Sequence, residues 1–359
     1  MSDREQSSNE LANLLIHRGA NTSRQGPYYS SHASEAQEII SSKTAGQIHK
    51  PSNSQRAGIG IQKLNLSSGV KNDPMGAIQL QTVFDRWLDT VQPIDCLEGM
   101  GQLPSHSFDL VVADPPYNLS KGNKWTWDRS VKLPGFGGVW NKVMENWDNM
   151  SLSEYWNFTA SWLSEAKRLV KPTGSVWVFG TYHNIGVINV LFQLLGIEII
   201  NEIIWFKRNA FPNLSGRRFT ASHETLLWGH TGGKQRRYLF NYEEMKNAKF
   251  PEDPTKKPGK QMRTVWNIPN NKARDEIMFG KHPTQKPLAL TSRMILATSR
   301  PGDVCLVPFA GAGSECVSAK QFGRRFIAFE TDEKYVDITN KRLQSIATDQ
   351  RKISEFNDS

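Results

Sequence analysis

From residue 81 to residue 346 the chain alternates short apolar runs with stretches of helical periodicity, and this alternation constrains the fold more than any other feature. Phe108–Ala113, Ser175–Gly180, Ile199–Phe206, His223–Gly229, Val304–Val307 and Arg325–Phe329 read as strands. Gln81–Val91, Cys96–Leu103, residues 152–170, Asn184–Leu195, Leu288–Thr298, the segment from Ser314 to Phe322, and Asp332–Ile346 read as helices. Lys171-Pro172-Thr173-Gly174 reads as a helix stop. Strands alternating with helices predict an α/β fold with a doubly wound, mostly parallel sheet.

Outside this stretch the composition changes. Residues 1–80 are rich in Ser, Asn, Gln and Gly and predict a disordered or loosely ordered polar arm. Residues 81–347 then form the main domain, and 348–359 a flexible tail. No run approaches the roughly 20 apolar residues of a membrane span. The start MSDREQSSNE lacks the pattern of a secretory signal, so the expected location is the cytoplasm. Cys96, Cys305 and Cys316 have no metal-site spacing and predict free or buried thiols; no metal is expected. Most of the 11 Trp residues are expected in the core.

Two strands end in loops that carry chemistry. Phe108–Ala113 runs into Asp114-Pro115-Pro116-Tyr117, where two prolines rule out a continued sheet ladder. Val304–Val307 runs through Pro308 into Phe309-Ala310-Gly311-Ala312-Gly313-Ser314 and then a helix. Small residues let the backbone approach a ligand, and the helix start offers free N–H groups. Glu330, 17 residues after Gly313 at the tip of the next strand, is placed to accept hydrogen bonds from ribose hydroxyls. The dinucleotide pattern GxGxxG would need glycine at Cys316, so an adenosyl ligand other than NAD is expected.

The order of these loops, together with His282-Pro283-Thr284-Gln285-Lys286-Pro287, resembles the beta class of amino-group DNA methyltransferases. Asn209-Ala210-Phe211-Pro212-Asn213 and the Phe219-to-Trp228 stretch with His223-Glu224-Thr225 add to the likeness. Within that class the chain resembles the DpnII second methylase and the cell-cycle-regulated GANTC adenine methyltransferase, over about residues 92–346. The resemblance implies methyl transfer from S-adenosylmethionine to the N6 amine of a flipped-out adenine in duplex DNA. It assigns Asp114, Pro115, Pro116 and Tyr117 to catalysis. Asp95, Thr284, Lys286, Phe309, Ala310, Gly311, Gly313, Ser314 and Glu330 would then hold the cofactor. In this reading Asp114 and the Pro115 carbonyl accept the amine's two N–H bonds, and Tyr117 stacks on the base. The class carries Asp-Pro-Phe where this chain has Val307-Pro308-Phe309, which removes a carboxylate expected to touch the methionine amino group. Asp95, Glu330 and Lys286 are the candidate replacements.

Lys207 to Lys286 holds 17 Lys or Arg against 7 Asp or Glu, an excess of 10 in a chain of net charge +9. That concentration predicts a nucleic-acid contact, with residues 207–281 as an inserted, irregular target-recognition region. Lys207, Asn209, Asn213, Arg217, Arg218, His223, Arg236 and Arg237 are the candidate DNA contacts. Trp125, Trp127 and Trp140 suggest a second contact in the loop 120–149. The resemblance admits a homodimer and a cognate restriction endonuclease. Cytosine-N4 methylation is the alternative activity, although those relatives more often carry Ser at the position of Asp114. A weakly active DNA-binding relative is the other alternative, suggested by Val307.

Overall fold

The computed structural model describes residues 74–118, 150–213, 217–233, 237–270 and 274–346. The arm up to residue 73, residues 119–149 with Trp125, Trp127 and Trp140, Arg236 and the tail from 347 lie outside the described residues. Eight strands form one sheet: β1 (Thr90–Gln92), β2 (Phe108–Ala113), β3 (Val170–Gly180), β4 (Glu198–Phe206), β5 (His223–His230), β6 (Val265–Asn267), β7 (Val304–Val307) and β8 (Arg325–Phe329). The described helices are α1 (Pro74–Trp87), α2 (Cys96–Gly101), α3 (Leu152–Leu169), α4 (Ile185–Leu194), α5 (Tyr242–Asn247), α6 (Arg274–Ile277), α7 (Leu288–Thr298), α8 (Ser314–Gln321) and α9 (Glu333–Ser345). The spatial order is β1-β8-β7-β2-β3-β5-β4-β6. Only β5 runs antiparallel to its neighbours, β3 and β4; the other pairings are parallel, as the alternation predicts.

Successive strand residues point to opposite faces, so each central strand feeds two cores. Val111 and Ala113 of β2, with Val176 and Val178 of β3, pack against Trp162 and Leu163 of α3 and Phe192 of α4. Leu110 and Val112, with Trp177 and Phe179, pack against Leu290 and Met294 of α7 and Val317 of α8. Trp87, Trp162, Trp177, Trp205, Trp228 and Trp266 are buried. Each large apolar side chain taken out of water contributes about 1.5–3 kcal/mol before entropy is counted. The three cysteines are free and buried. Among the described residues no helix is long and apolar enough to cross a membrane.

The connections decide where a ligand can sit. β2 and β7 are parallel neighbours in mid-sheet, with Leu110 opposite Cys305 and Val111 opposite Leu306. From β2 the chain crosses through α3 to β3 on one side; from β7 it crosses through α8 to β8 on the other. This reversal opens a crevice at the C-terminal ends of both strands.

Three local expectations are corrected. The helix expected over Gln81–Val91 begins at Pro74 and ends at Trp87. Asp89, at φ 63°, breaks it, and its carboxylate accepts Phe326 N–H while binding Arg325. That pins the following residues as β1 beside β8. The helix stops at Leu169, as Lys171–Gly174 signals, but those four residues already belong to β3, which starts at Val170 rather than Ser175; Lys171 is tied to Asp109 at 2.7 Å. The inserted region 207–281 is not irregular throughout. Its β6 extends the sheet beside β4, and Trp266 and Ile268 enter the second core. A three-residue strand is too short for its periodicity to stand out in a polar segment.

Candidate active site

Asp114-Pro115-Pro116-Tyr117 leaves the end of β2 with Asp114 and Tyr117 facing each other. The Tyr117 hydroxyl lies 2.7 Å from Asp114 Oδ1 and 3.1 Å from Glu224 Oε2. Lys286, 2% exposed, donates from Nζ to Asp114 Oδ2 at 2.6 Å and to the Thr284 carbonyl at 3.1 Å. The same ammonium is 3.7 Å from Glu224 Oε2, while Lys207 Nζ is 3.0 Å from Glu224 Oε1. Three distant segments thus converge: the loop after β2, the start of β5, and the turn before α7.

Burial raises the Asp114 carboxyl above its ordinary value, and Lys286 pulls against that rise. Burial also presses on Glu224, but Lys286 and Lys207 outweigh it and hold that carboxyl low. Burial works against the Lys286 charge, yet Asp114 and Glu224 keep its pKa raised. The Tyr117 phenol is pushed up by burial and then by both carboxylates, so it stays protonated.

The backbone of this loop is held from below. The Tyr155 hydroxyl donates to the Pro116 carbonyl at 3.1 Å and itself accepts from Asn184 Nδ2 at 3.0 Å. Among the described residues nothing donates to the Pro115 carbonyl. Asn118, at φ 55°, makes two 2.9 Å hydrogen bonds to the Met150 backbone and closes the base of the loop between them.

The glycine loop after β7 is fastened by α9 and β8. Gly311 N–H donates to Glu330 Oε2 at 2.8 Å, and Thr339 Oγ1 donates to the Gly311 carbonyl at 3.0 Å. Arg342 donates to the Ala312 carbonyl, and Ser314 Oγ donates to the Lys286 carbonyl at 2.7 Å. Gly311 and Gly313 have φ of 50° and 71°, conformations that side chains disfavour. At Gly313 a Cβ would also come within 2.2 Å of Thr339.

Both loops open on one cavity of about 610 Å³. All four predicted catalytic residues line it, as does every predicted cofactor residue except Gly313, whose place is set by Thr339. Asp95 caps α2 through Leu97 N–H at 2.8 Å while facing the cavity. Phe309 forms an apolar wall, backed by Trp162 at 5.4 Å. His282 packs on Tyr335, and burial followed by the Lys286 charge lowers its imidazole to about 4, so it is neutral. Val307 is fully buried below the loop, with no polar group to offer.

The predicted DNA contacts do not form one group. Lys207 belongs to the buried network, bound to Glu224. Asn209 joins two loops through the Asn270 backbone. Asn213 donates to the Arg218 carbonyl at 2.5 Å. Arg217, Arg218, His223 and Arg237 are exposed, Arg218 within 3.2 Å of the Tyr182 hydroxyl. Between Arg218 and Thr220 stands Phe219, 98% exposed. Two carboxylates, Glu315 on the cavity wall and Glu224 behind it against Tyr117 and Lys286, were not singled out in the sequence. Glu224 appeared only within a longer matching stretch, and Glu315 follows Ser314 without any motif of its own.

Comparison with known proteins agrees with this geometry. The Type II methyltransferase M.HinfI of Haemophilus influenzae is 37% identical over 264 residues, 72% of this chain and 69% of that protein. The Type II methyltransferase M2.DpnII of Streptococcus pneumoniae is 38% identical over 252 residues, 70% of this chain and 88% of that protein. The solved structure of the PvuII cytosine-N4-specific DNA methyltransferase superposes with a TM-score of 0.53 at 18% identity, covering 75% of this chain and 93% of that one, and so supports the fold. With the N6/N4 DNA methylase profile matching residues 108–341, across both loops and the carboxylate network, the chain belongs to the DNA methylase family.

Proposed function

We propose that the chain transfers a methyl group from S-adenosylmethionine to the N6 amine of adenine in duplex DNA, with the base turned out of the helix. The observation that carries this reading is the meeting of Asp114 and the glycine loop in one cavity at adjacent strand ends. The cavity suits the cofactor. Glu330 offers acceptors for a ribose diol, Phe309 an apolar wall for a purine, and the acidic lining suits a cation.

Bound S-adenosylmethionine supplies a methyl group activated by attachment to a sulfonium. The protein's own work is on the acceptor. An exocyclic amine is a poor nucleophile because its lone pair is delocalised into the ring. Asp114 and the unengaged Pro115 carbonyl accept its two N–H bonds and favour a more tetrahedral nitrogen. Lys286 and Tyr117 hold the Asp114 carboxylate in one orientation, so positioning supplies much of the rate. A methylated amine would have a surplus proton to lose, and Asp114, within the same cavity, would take it. Its burial-raised carboxyl is a better base than an exposed aspartate. Tyr117 is only 6% exposed and has Lys286 5.0 Å from its ring centre, which favours a locking role over an open stacking platform.

Arg217, Arg218 and Arg237 would face phosphates, with Phe219 between the strands or bases. The relatives' description as Type II methyltransferases supports a cytoplasmic setting beside a cognate endonuclease; a homodimer fits the same reading. The test is to incubate the purified chain with labelled S-adenosylmethionine and duplex DNA, digest the DNA and identify the labelled nucleoside. N6-methyl-2′-deoxyadenosine is expected. N4-methyl-2′-deoxycytidine would transfer the proposal to the other amine, that of cytosine, and an unlabelled digest would remove it.

A further inference from the structure

Glu315, the second residue of α8, is 3% exposed and lines the cavity beside Asp114. Among the described residues its carboxylate has no ion-pair partner, and its one hydrogen bond comes from its own backbone N–H. Neither neighbouring buried cation pairs with it, although Arg342, whose Nη2 has no hydrogen-bond partner, acts on it through space. Lys286 holds Asp114 at 2.6 Å, and Arg342 donates to the Ala312 carbonyl and to Ser314 Oγ. A buried carboxylate without a partner is costly to folding, and such a group persists where a ligand uses it. Burial and then the neighbouring Asp114 push its carboxyl up to about 7, the behaviour of an acid waiting for a positive charge.

We propose that Glu315 holds the α-ammonium of the S-adenosylmethionine methionine arm, replacing the carboxylate that the family resemblance places where this chain has Val307. This rests on the cofactor reading above. The geometry of the ligand selects its end. Sulfur joins the adenosyl and methionine arms and carries the methyl group. If the methyl faces Asp114 and the ribose faces Glu330, the methionine arm is the part left to reach Glu315. Val307 and Glu315 flank the same loop, so a carboxylate lost at the end of β7 is regained in the first turn of α8. Asp95 caps α2 and Glu330 is held by the Gly311 and Asp332 N–H groups, whereas Glu315 has no such duty.

Calorimetric binding of three ligands tests this without any turnover. Glu315→Gln should weaken S-adenosylmethionine and S-adenosylhomocysteine by a similar factor, about 10- to 100-fold, because both carry the ammonium. It should leave 5′-methylthioadenosine, which lacks the ammonium, unchanged. Adding Val307→Asp to Glu315→Gln should recover much of the loss. The melting temperature of the ligand-free variant should be equal to or above that of the unaltered protein, since an unpaired buried charge has been removed. Equal binding of S-adenosylmethionine by both proteins would overturn the inference. Weakening of S-adenosylmethionine alone would also overturn it, by moving Glu315 to the sulfonium, and a lowered melting temperature would show a structural role instead. If the unaltered protein binds none of the three, the cofactor reading itself falls.

Discussion

The cavity at the ends of β2 and β7 and the basic segment between Lys207 and Lys286 are both dense in charge, but they hold it differently. At the cavity, Asp114 and Lys286 on its wall and Glu224 and Lys207 behind them are interlocked at 2.6–3.7 Å and largely withdrawn from water. In the segment, part of the excess is taken up internally. Arg208 donates to the Glu252 and Asn267 carbonyls, and Lys256 to the Lys246 and Lys257 carbonyls. The segment is fastened to α7 by the buried Arg293–Asp253 pair at 2.8 Å, with Arg293 over Phe250 and Trp266. Charges tied down by hydrogen bonds within the chain are less free to neutralise phosphates. The lesson is that a charge count locates a region but does not say which cations face outward.

The largest effect should come from the cavity. Asp114→Asn keeps the side chain's shape but removes the charge and the base, and should lower kcat by on the order of 100- to 1000-fold with cofactor affinity nearly unchanged. Retention of more than about a tenth of the activity in single-turnover assays would show that Asp114 does not act on the amine.

A smaller effect is expected at Glu224, which acts through its neighbours as a positioning residue. Glu224→Gln should reduce kcat by about 10-fold with cofactor KM unchanged, roughly 1.4 kcal/mol of barrier. Its negative charge raises the Asp114 carboxyl, so its removal should let Asp114 ionise at lower pH. The acidic limb of the pH–rate profile should therefore shift downward. A profile that keeps its position while activity falls would reduce Glu224 to a structural support.

The smallest and most discriminating effect concerns the outward charges. Arg217→Ala with Arg218→Ala should reduce the slope of log affinity for duplex against log salt by about 2, with no preference among sequences. Arg208→Ala should leave that slope unchanged and lower the melting temperature, since its bonds are internal. If Arg208 changes the slope as much as the pair does, the division between internal and outward cations is wrong.

The sequence by itself determined the central strands of the sheet and both of its working loops. Phe108–Ala113, Val304–Val307, Arg325–Phe329 and Leu288–Thr298 have the bounds that their apolar patterns predict. Asp114-Pro115-Pro116-Tyr117 and the glycine loop were legible because prolines and glycines punctuate the backbone locally. Only the tertiary structure decided the rest. β6 was hidden because its place in the sheet depends on β4, some sixty residues earlier. Lys207 looked like a phosphate contact and proved a buried partner of Glu224, a pairing across 17 residues that no periodicity encodes. Asp114, Glu315 and Lys286 line one cavity, with Glu224 against Lys286 behind it, because β2, β5 and β7 bring distant segments together. Local pattern reports backbone preference, whereas the shift of a pKa or the partner of a charge depends on what folding brings near and what it excludes from water.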